Sequence, residues 1–214
     1  MIIGVTGGIG SGKSTVVGFF KEWGALVIEV DKLGWEILES KQKEMVKEFG
    51  NEILTDGKEV QPQEVQPQID RKRLGKLVFS SPDNICKFNS IVHPPLIKEL
   101  KNQISNLKIQ VSGSAEEVQP QKVPTIVVDC ALIYEWKEVQ PQIEKWFDKI
   151  ILVTSSYENK MQRLLKSGYT EEEASNRIHA QLPDEVKPAD WVIENNNSLE
   201  TLRDKAKAVW ELLL

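Results

Sequence analysis

The chain has 214 residues, of which 40% are hydrophobic and 28% charged, and its formal net charge is −5. That size can bury one good core with small appended subdomains, and the acidic balance argues against nucleic acid as a partner. No apolar run reaches the roughly 18 residues of a membrane span, and the apolar start at residues 2–5 is too short for a secretory leader, so no membrane association is expected.

Met1-Ile2-Ile3-Gly4-Val5 reads as a short buried strand, and Thr6-Gly7-Gly8-Ile9-Gly10-Ser11-Gly12-Lys13-Ser14-Thr15 follows it. Gly7, Gly12, Lys13 and Ser14 fill the G-x-x-x-x-G-K-[ST] phosphate-loop pattern. Glycines allow backbone conformations closed to other residues, so several N–H groups can converge on phosphate oxygens. Gly8, Gly10, Ser11, Gly12, Lys13, Ser14 and Thr15 are the expected ATP-binding set. Lys13 should reach the β- and γ-phosphates, and the Ser14 hydroxyl should ligate Mg²⁺. An ordinary glycine-rich turn is the alternative, but the strand–loop–helix setting favours the nucleotide. The helix spans residues 14–23, with Val16, Val17, Phe19, Phe20 and Trp23 at helical spacing and Gly24 as its cap. Residues 25–31 read as a second buried strand ending in Glu29 and Asp31. A carboxylate there lies on the ligand side of such a sheet, where Asp31 could accept a proton from an attacking hydroxyl. Capping the next helix is a second, compatible role for Asp31.

TGGIGSGKSTV, followed by VIEVD and KLG, resembles the dephospho-CoA kinase family. The resemblance implies an α/β P-loop NTPase fold with a five-stranded parallel sheet, order 2-3-1-4-5, flanked by helices. One kinase domain over 1–214 would carry a mainly helical acceptor-binding subdomain at 32–124 and a small helical lid at 157–182. The implied reaction moves a phosphoryl group from ATP, with Mg²⁺, to the ribose 3′-hydroxyl of dephospho-CoA. Asp31 would face that hydroxyl. The family's usual Asp-x-Asp is Glu29-x-Asp31 here, and Glu29 is given no role.

Further along, residues 36–55 read as helix with Ile37, Leu38, Met45, Val46 and Phe49 on one side. Glu-Val-Gln-Pro-Gln then occurs at 59–63, 64–68, 117–121 and 138–142. Each copy is too short to bury anything and the spacing is irregular, so these read as extended, solvated insertions in surface loops. A partner-binding repeat is the alternative. Residues 69–107 are helical and amphipathic. By resemblance they hold the acceptor site, with Arg71 and Lys98 as candidate contacts for its pyrophosphate. His93, before Pro94, is biased away from helix and expected in the acceptor pocket.

A third strand is expected at 125–130, where Asp129 either holds a Mg²⁺-bound water or makes a structural hydrogen bond. By resemblance Tyr134 and Glu135 line the acceptor pocket. A fourth strand is expected at 149–154, then helices at 157–165 and 170–181, the second opening on the Thr170–Glu173 capping-box pattern. These resemble a kinase lid, in which Arg163 matches a catalytic arginine. Ser167 stands where a second arginine is usual, with Lys166 or Arg177 as replacements. The fifth strand is expected at 189–196 and a closing helix at 199–213. Asn195 either approaches the adenine or simply forms the turn. Cys86 and Cys130 form no paired or metal-ligand pattern, which fits a reducing cytosol and a cytoplasmic enzyme. A nucleoside-monophosphate kinase of the same fold is the runner-up. A GTP switch is weak, because Gln162 stands where a guanine-reading aspartate belongs.

Overall fold

The computed structural model describes residues 1–55, 68–113 and 124–213. The pentapeptides at 59–63 and 117–121, and all of the copy at 64–68 except Gln68, lie outside the described residues. Five strands form one parallel sheet: β1 (Ile2–Thr6), β2 (Leu26–Glu29), β3 (Ile126–Asp129), β4 (Lys149–Thr154) and β5 (Trp191–Glu194). Their order is β2-β3-β1-β4-β5, as the resemblance implies. The central β1 is buried along its whole length, as a parallel strand covered on both faces must be.

Helix α1 (Lys13–Glu22) lays Val16, Val17, Phe19 and Phe20 into the core on one face of the sheet. After it, Gly24 N–H donates to Lys21 O and Ala25 N–H to Phe20 O, the paired bonds of a Schellman stop. The second strand is shorter than its sequence suggests. Glu29 lies opposite Asp129, where β3 also ends, so the ladder has no partner to extend along. Val30 and Asp31 instead open α2 (Val30–Ser40), with Asp31 in its first turn.

The described chain divides into two compact units, one of Met1–Asp31 with Glu99–Leu214 and one of Lys32–Lys98. The second of these units is mainly helical. Within it the single helix expected over 36–55 is three pieces: the rest of α2, α3 (Gln42–Phe49) and a 3₁₀ turn at Asn51–Ile53. Lys41 (φ −102°, ψ 15°) and Gly50 (φ 84°) make the breaks, while Leu38, Met45, Phe49 and Ile53 are buried. Next, α4 (Arg71–Val78) is capped by Asp70, whose carboxylate accepts from Lys72 N–H at 2.8 Å and Arg73 N–H at 3.0 Å. α5 (Pro82–Gly113) runs on through Pro94 and Pro95, so His93 is helical despite the proline after it. Each proline removes a backbone donor. Burial of Val92, Leu96 and Ile97 around the pair offsets that loss.

In the first unit, the pentapeptide at 138–142 starts at the end of a 3₁₀ turn at Glu135–Glu138 and leads into another at Ile143–Trp146. Val139 is exposed, but Gln140 N–H donates to Trp136 O at 2.7 Å and Ile143 N–H to Gln140 O at 3.0 Å. Trp136 and Ile143 are both fully buried, so this copy is tied to the core at each end. α6 (Tyr157–Lys166) and α7 (Glu171–His179) follow β4, and the Thr170–Glu173 capping box is formed. α8 (Leu199–Leu212) closes the fold, its Trp210 stacking on Phe20 with ring centroids 5.2 Å apart. No described helix is long and apolar enough to cross a membrane.

Trp136→Ala should destabilise the fold by about 3–5 kcal/mol, the cost of emptying a large core position. Urea unfolding followed by circular dichroism measures it. An unchanged midpoint would contradict the burial of Trp136.

Candidate active site

The loop between β1 and α1 is shaped by two glycines whose conformations exclude a side chain. Gly7 has φ 152°, and a Cβ there would fall 2.2 Å from Val153 O. Gly12 has φ 92°, and its Cβ would fall 2.1 Å from Asn195 Nδ2. Gly12 also caps α1, which has no side-chain cap. The first amides of α1 therefore face the anion-binding end of a helix dipole. The loop's carbonyls are satisfied from behind. Arg163 Nη1 donates to Gly10 O (2.8 Å), Ser11 O (3.2 Å) and Ser155 Oγ (3.0 Å), and its Nη2 donates to Asn195 O (2.9 Å). Asn195 Nδ2 donates to Ser11 O at 2.8 Å, and Ile9 N–H donates to Gln181 Oε1 at 2.6 Å. Arg163 and Asn195 thus act on the backbone of the loop itself. Burial lowers the Arg163 pKa from its ordinary value.

At the first turn of α1, the buried Lys13 ammonium is paired with the Asp129 carboxylate at the end of β3. Burial raises the Asp129 pKa, Lys13 opposes that rise, and the nearby Asp31 and Glu29 add to it. Ser14 and Thr15 are exposed beside it, and so is Asp31. The donors suit a divalent cation held chiefly by phosphates and water. They are one exposed hydroxyl and one strand-end carboxylate, with no cluster of three acidic, His or Cys ligands among the described residues.

A family model described as dephospho-CoA kinase matches residues 1–201 of this chain. The chain belongs to the dephospho-CoA kinase family. The dephospho-CoA kinase of Fusobacterium nucleatum subsp. nucleatum is 37% identical over 221 residues, covering 100% of this chain and 98% of that protein. That of Carboxydothermus hydrogenoformans is 34% identical over 210 residues, covering 95% of this chain and 90% of its own. The crystal structure of TT1252 from Thermus thermophilus is 31% identical and superposes with a TM-score of 0.69, covering 100% of this chain and 98% of that one.

The remaining expected residues of this dephospho-CoA kinase family member fall into two groups. Tyr134 and Glu135 are in the unit that holds the loop. Tyr134 is buried and donates to Pro188 O, and burial pushes its phenol up to about 12. Glu135 accepts from Leu182 N–H at 3.2 Å and lies 3.5 Å from the buried Lys187 ammonium. Arg71 and His93 belong to the second unit. The exposed Arg71 guanidinium stacks 3.9 Å over the Trp35 ring and lies 4.0 Å from Glu39. His93 is buried inside α5. Of the two replacements for a second lid cation, Lys166 is exposed and Arg177 stacks over Tyr169 at 4.8 Å. Sequence reading missed Gln181, which accepts from Ile9 N–H, and Lys160, whose ammonium lies beside Gly8. The one available signal was that Lys160 precedes Arg163 by three residues, on the same helix face.

Lys13→Ala should lower turnover by roughly 10²–10³, the scale of losing one donor to developing negative charge. Steady-state kinetics on folded variant checks this, and near-normal turnover would remove Lys13 from the site. A second expectation concerns acid. Burial lowers the His93 imidazole from 6.5 to about 4. As pH falls below 6.5 the unfolded chain takes up a proton that the folded chain refuses until near 4, so stability drops across that window. His93→Gln should flatten this loss, which is at most ~1.4 kcal/mol per pH unit. Urea unfolding of both proteins, compared between neutral and mildly acidic buffer, reads the difference in slope.

Proposed function

We propose that this chain transfers the γ-phosphoryl group of ATP to the ribose 3′-hydroxyl of dephospho-CoA, giving CoA and ADP, the last step of CoA biosynthesis. The observation that carries the reading is the family match over residues 1–201, on a chain whose phosphate loop is built and backed as described above.

In this reading the amides of Gly8, Gly10, Ser11, Gly12, Lys13, Ser14 and Thr15 receive the ATP phosphates. Lys13 leaves Asp129 and follows the charge that develops on the transferring group. Asp31 meets the acceptor hydroxyl and takes its proton. The hydroxyl oxygen forms the new bond to phosphorus, the bond to the β–γ bridging oxygen breaks, and ADP departs. Arg163 holds the loop carbonyls and adds positive charge behind the phosphates, while Asn195 keeps the loop shape that ATP requires. Arg71, His93, Tyr134 and Glu135 are the acceptor-binding set.

Ser14 and, through water, Asp129 are the residues that would hold Mg²⁺, which when bound neutralises phosphate charge. The free Cys86 and Cys130 support a reducing cytoplasmic setting. ATP and dephospho-CoA are the proposed partners, without nucleic acid or membrane.

Asp31→Asn should cut transfer by roughly 10²–10⁴, as loss of a positioned general base does, while ATP binding stays near normal. A coupled ADP-release assay with dephospho-CoA, nucleoside monophosphates and water as acceptors, paired with ATP titration calorimetry, tests both halves. Equal turnover on a nucleoside monophosphate would overturn the substrate assignment. Loss of ATP binding in Asp31→Asn would make Asp31 a nucleotide or structural residue.

A further inference from the structure

Two cations on one face of α6 address successive parts of the phosphate loop. Arg163 reaches the carbonyls of Gly10 and Ser11. Lys160, three residues earlier, lies against the loop tip. A Cβ on Gly10 would fall 3.0 Å from Lys160 O, and one on Gly8 would fall 3.2 Å from Lys160 Nζ. The ammonium is therefore at the rim of the loop beside Gly8, bordering a cavity of about 820 Å³ that Gly8, Ile9, Lys160 and Asp184 help to line. The Lys160 side chain is 13% exposed, against 0% for the neighbouring Lys187. Lys160 can thus turn toward a ligand where Lys187 cannot.

Lys160 is held meanwhile by Asp184, at 2.5 Å. Asp184 has a second counter-charge, since Lys187 lies 3.6 Å from its other oxygen, and Lys187 in turn lies 3.5 Å from Glu135. When Lys160 swings away, Asp184 keeps Lys187, so the exchange does not strand a buried carboxylate without a partner. Ser167 cannot supply the cation, as it carries no charge and its hydroxyl donates back to Arg163 O at 2.9 Å.

We infer that Lys160 is the second phosphate-contacting cation of this site, drawn from three residues before Arg163 rather than four after it, and that it recognises the terminal phosphate of the nucleoside triphosphate. The inference rests on the ATP-dependent kinase reading above. It makes Asp184 the resting partner of Lys160, and it makes discrimination between tri- and diphosphate a property of Lys160.

The test is calorimetric titration, without acceptor, of ADP and of a non-hydrolysable ATP analogue into wild type, Asp184→Asn and the double variant Lys160→Met/Asp184→Asn. Removing both charges in the double variant leaves Lys187 paired with Glu135, which guards the fold, and circular dichroism checks it. Lys160→Gln is the second variant should the double one not fold. Wild type should bind the analogue with Lys160 engaged, and Asp184→Asn should keep or tighten that affinity. The double variant should lose roughly tenfold or more for the analogue, the scale of a charge-assisted hydrogen bond, while ADP stays within about twofold. Equal losses for ADP and the analogue, no loss for either, or the same loss in Asp184→Asn alone would overturn the role of Lys160. Wild type that binds neither nucleotide would overturn the kinase reading beneath it.

Discussion

A loop that turns its amides toward an anion must find partners for the carbonyls it turns away, since buried backbone groups are costly to leave unpaired. Here those partners come from far along the chain. Arg163 in α6 and Asn195 after β5 take the carbonyls of Gly10 and Ser11, while Gln181 takes the Ile9 amide. The geometry of the phosphate site is consequently a property of the β4–β5 half of the sheet as much as of the loop. A change in the segment 155–195 alters the loop without touching a phosphate. Gly12 shows how close the fit is, because even one added carbon would collide with the Asn195 amide.

The charged groups around this loop are arranged as ion pairs. Lys13 sits with Asp129, Lys160 with Asp184, and Lys187 between Asp184 and Glu135. Such pairing keeps these buried charges compensated within the protein itself. Burial raises the Asp129 pKa and its Lys13 partner opposes that rise.

Much of this was legible from local pattern. The phosphate loop, the fourth strand at 149–154 and the Thr170 capping box depend on residues a few positions apart, and each stands where the sequence puts it. What local pattern misses depends on distant partners. The second strand stops at Glu29 because its neighbour stops at Asp129. The helix through Pro94 and Pro95 persists against the local bias of His93, with buried residues around the pair. Arg163 matches a lid arginine by resemblance, but pattern could not show that its guanidinium reaches the loop carbonyls of Gly10 and Ser11, 153 and 152 residues away. The strand order itself came from the family resemblance, since periodicity says nothing of which strands are neighbours.

The central position of β1 has a consequence for how the chain reaches this state. Ile2 pairs with Ile126, and Ile3 with Lys149, so β1 is synthesised before both of its partners and waits for β3 and β4 before it has any ladder. Parallel pairing over such separations closes long loops before contacts repay the lost entropy, which slows folding. Until then an apolar strand, Ile2-Ile3-Gly4-Val5, and the apolar face of α1 are without their core. The nascent chain therefore carries these apolar segments without their core until β3 and β4 have been made, the kind of state from which chains aggregate.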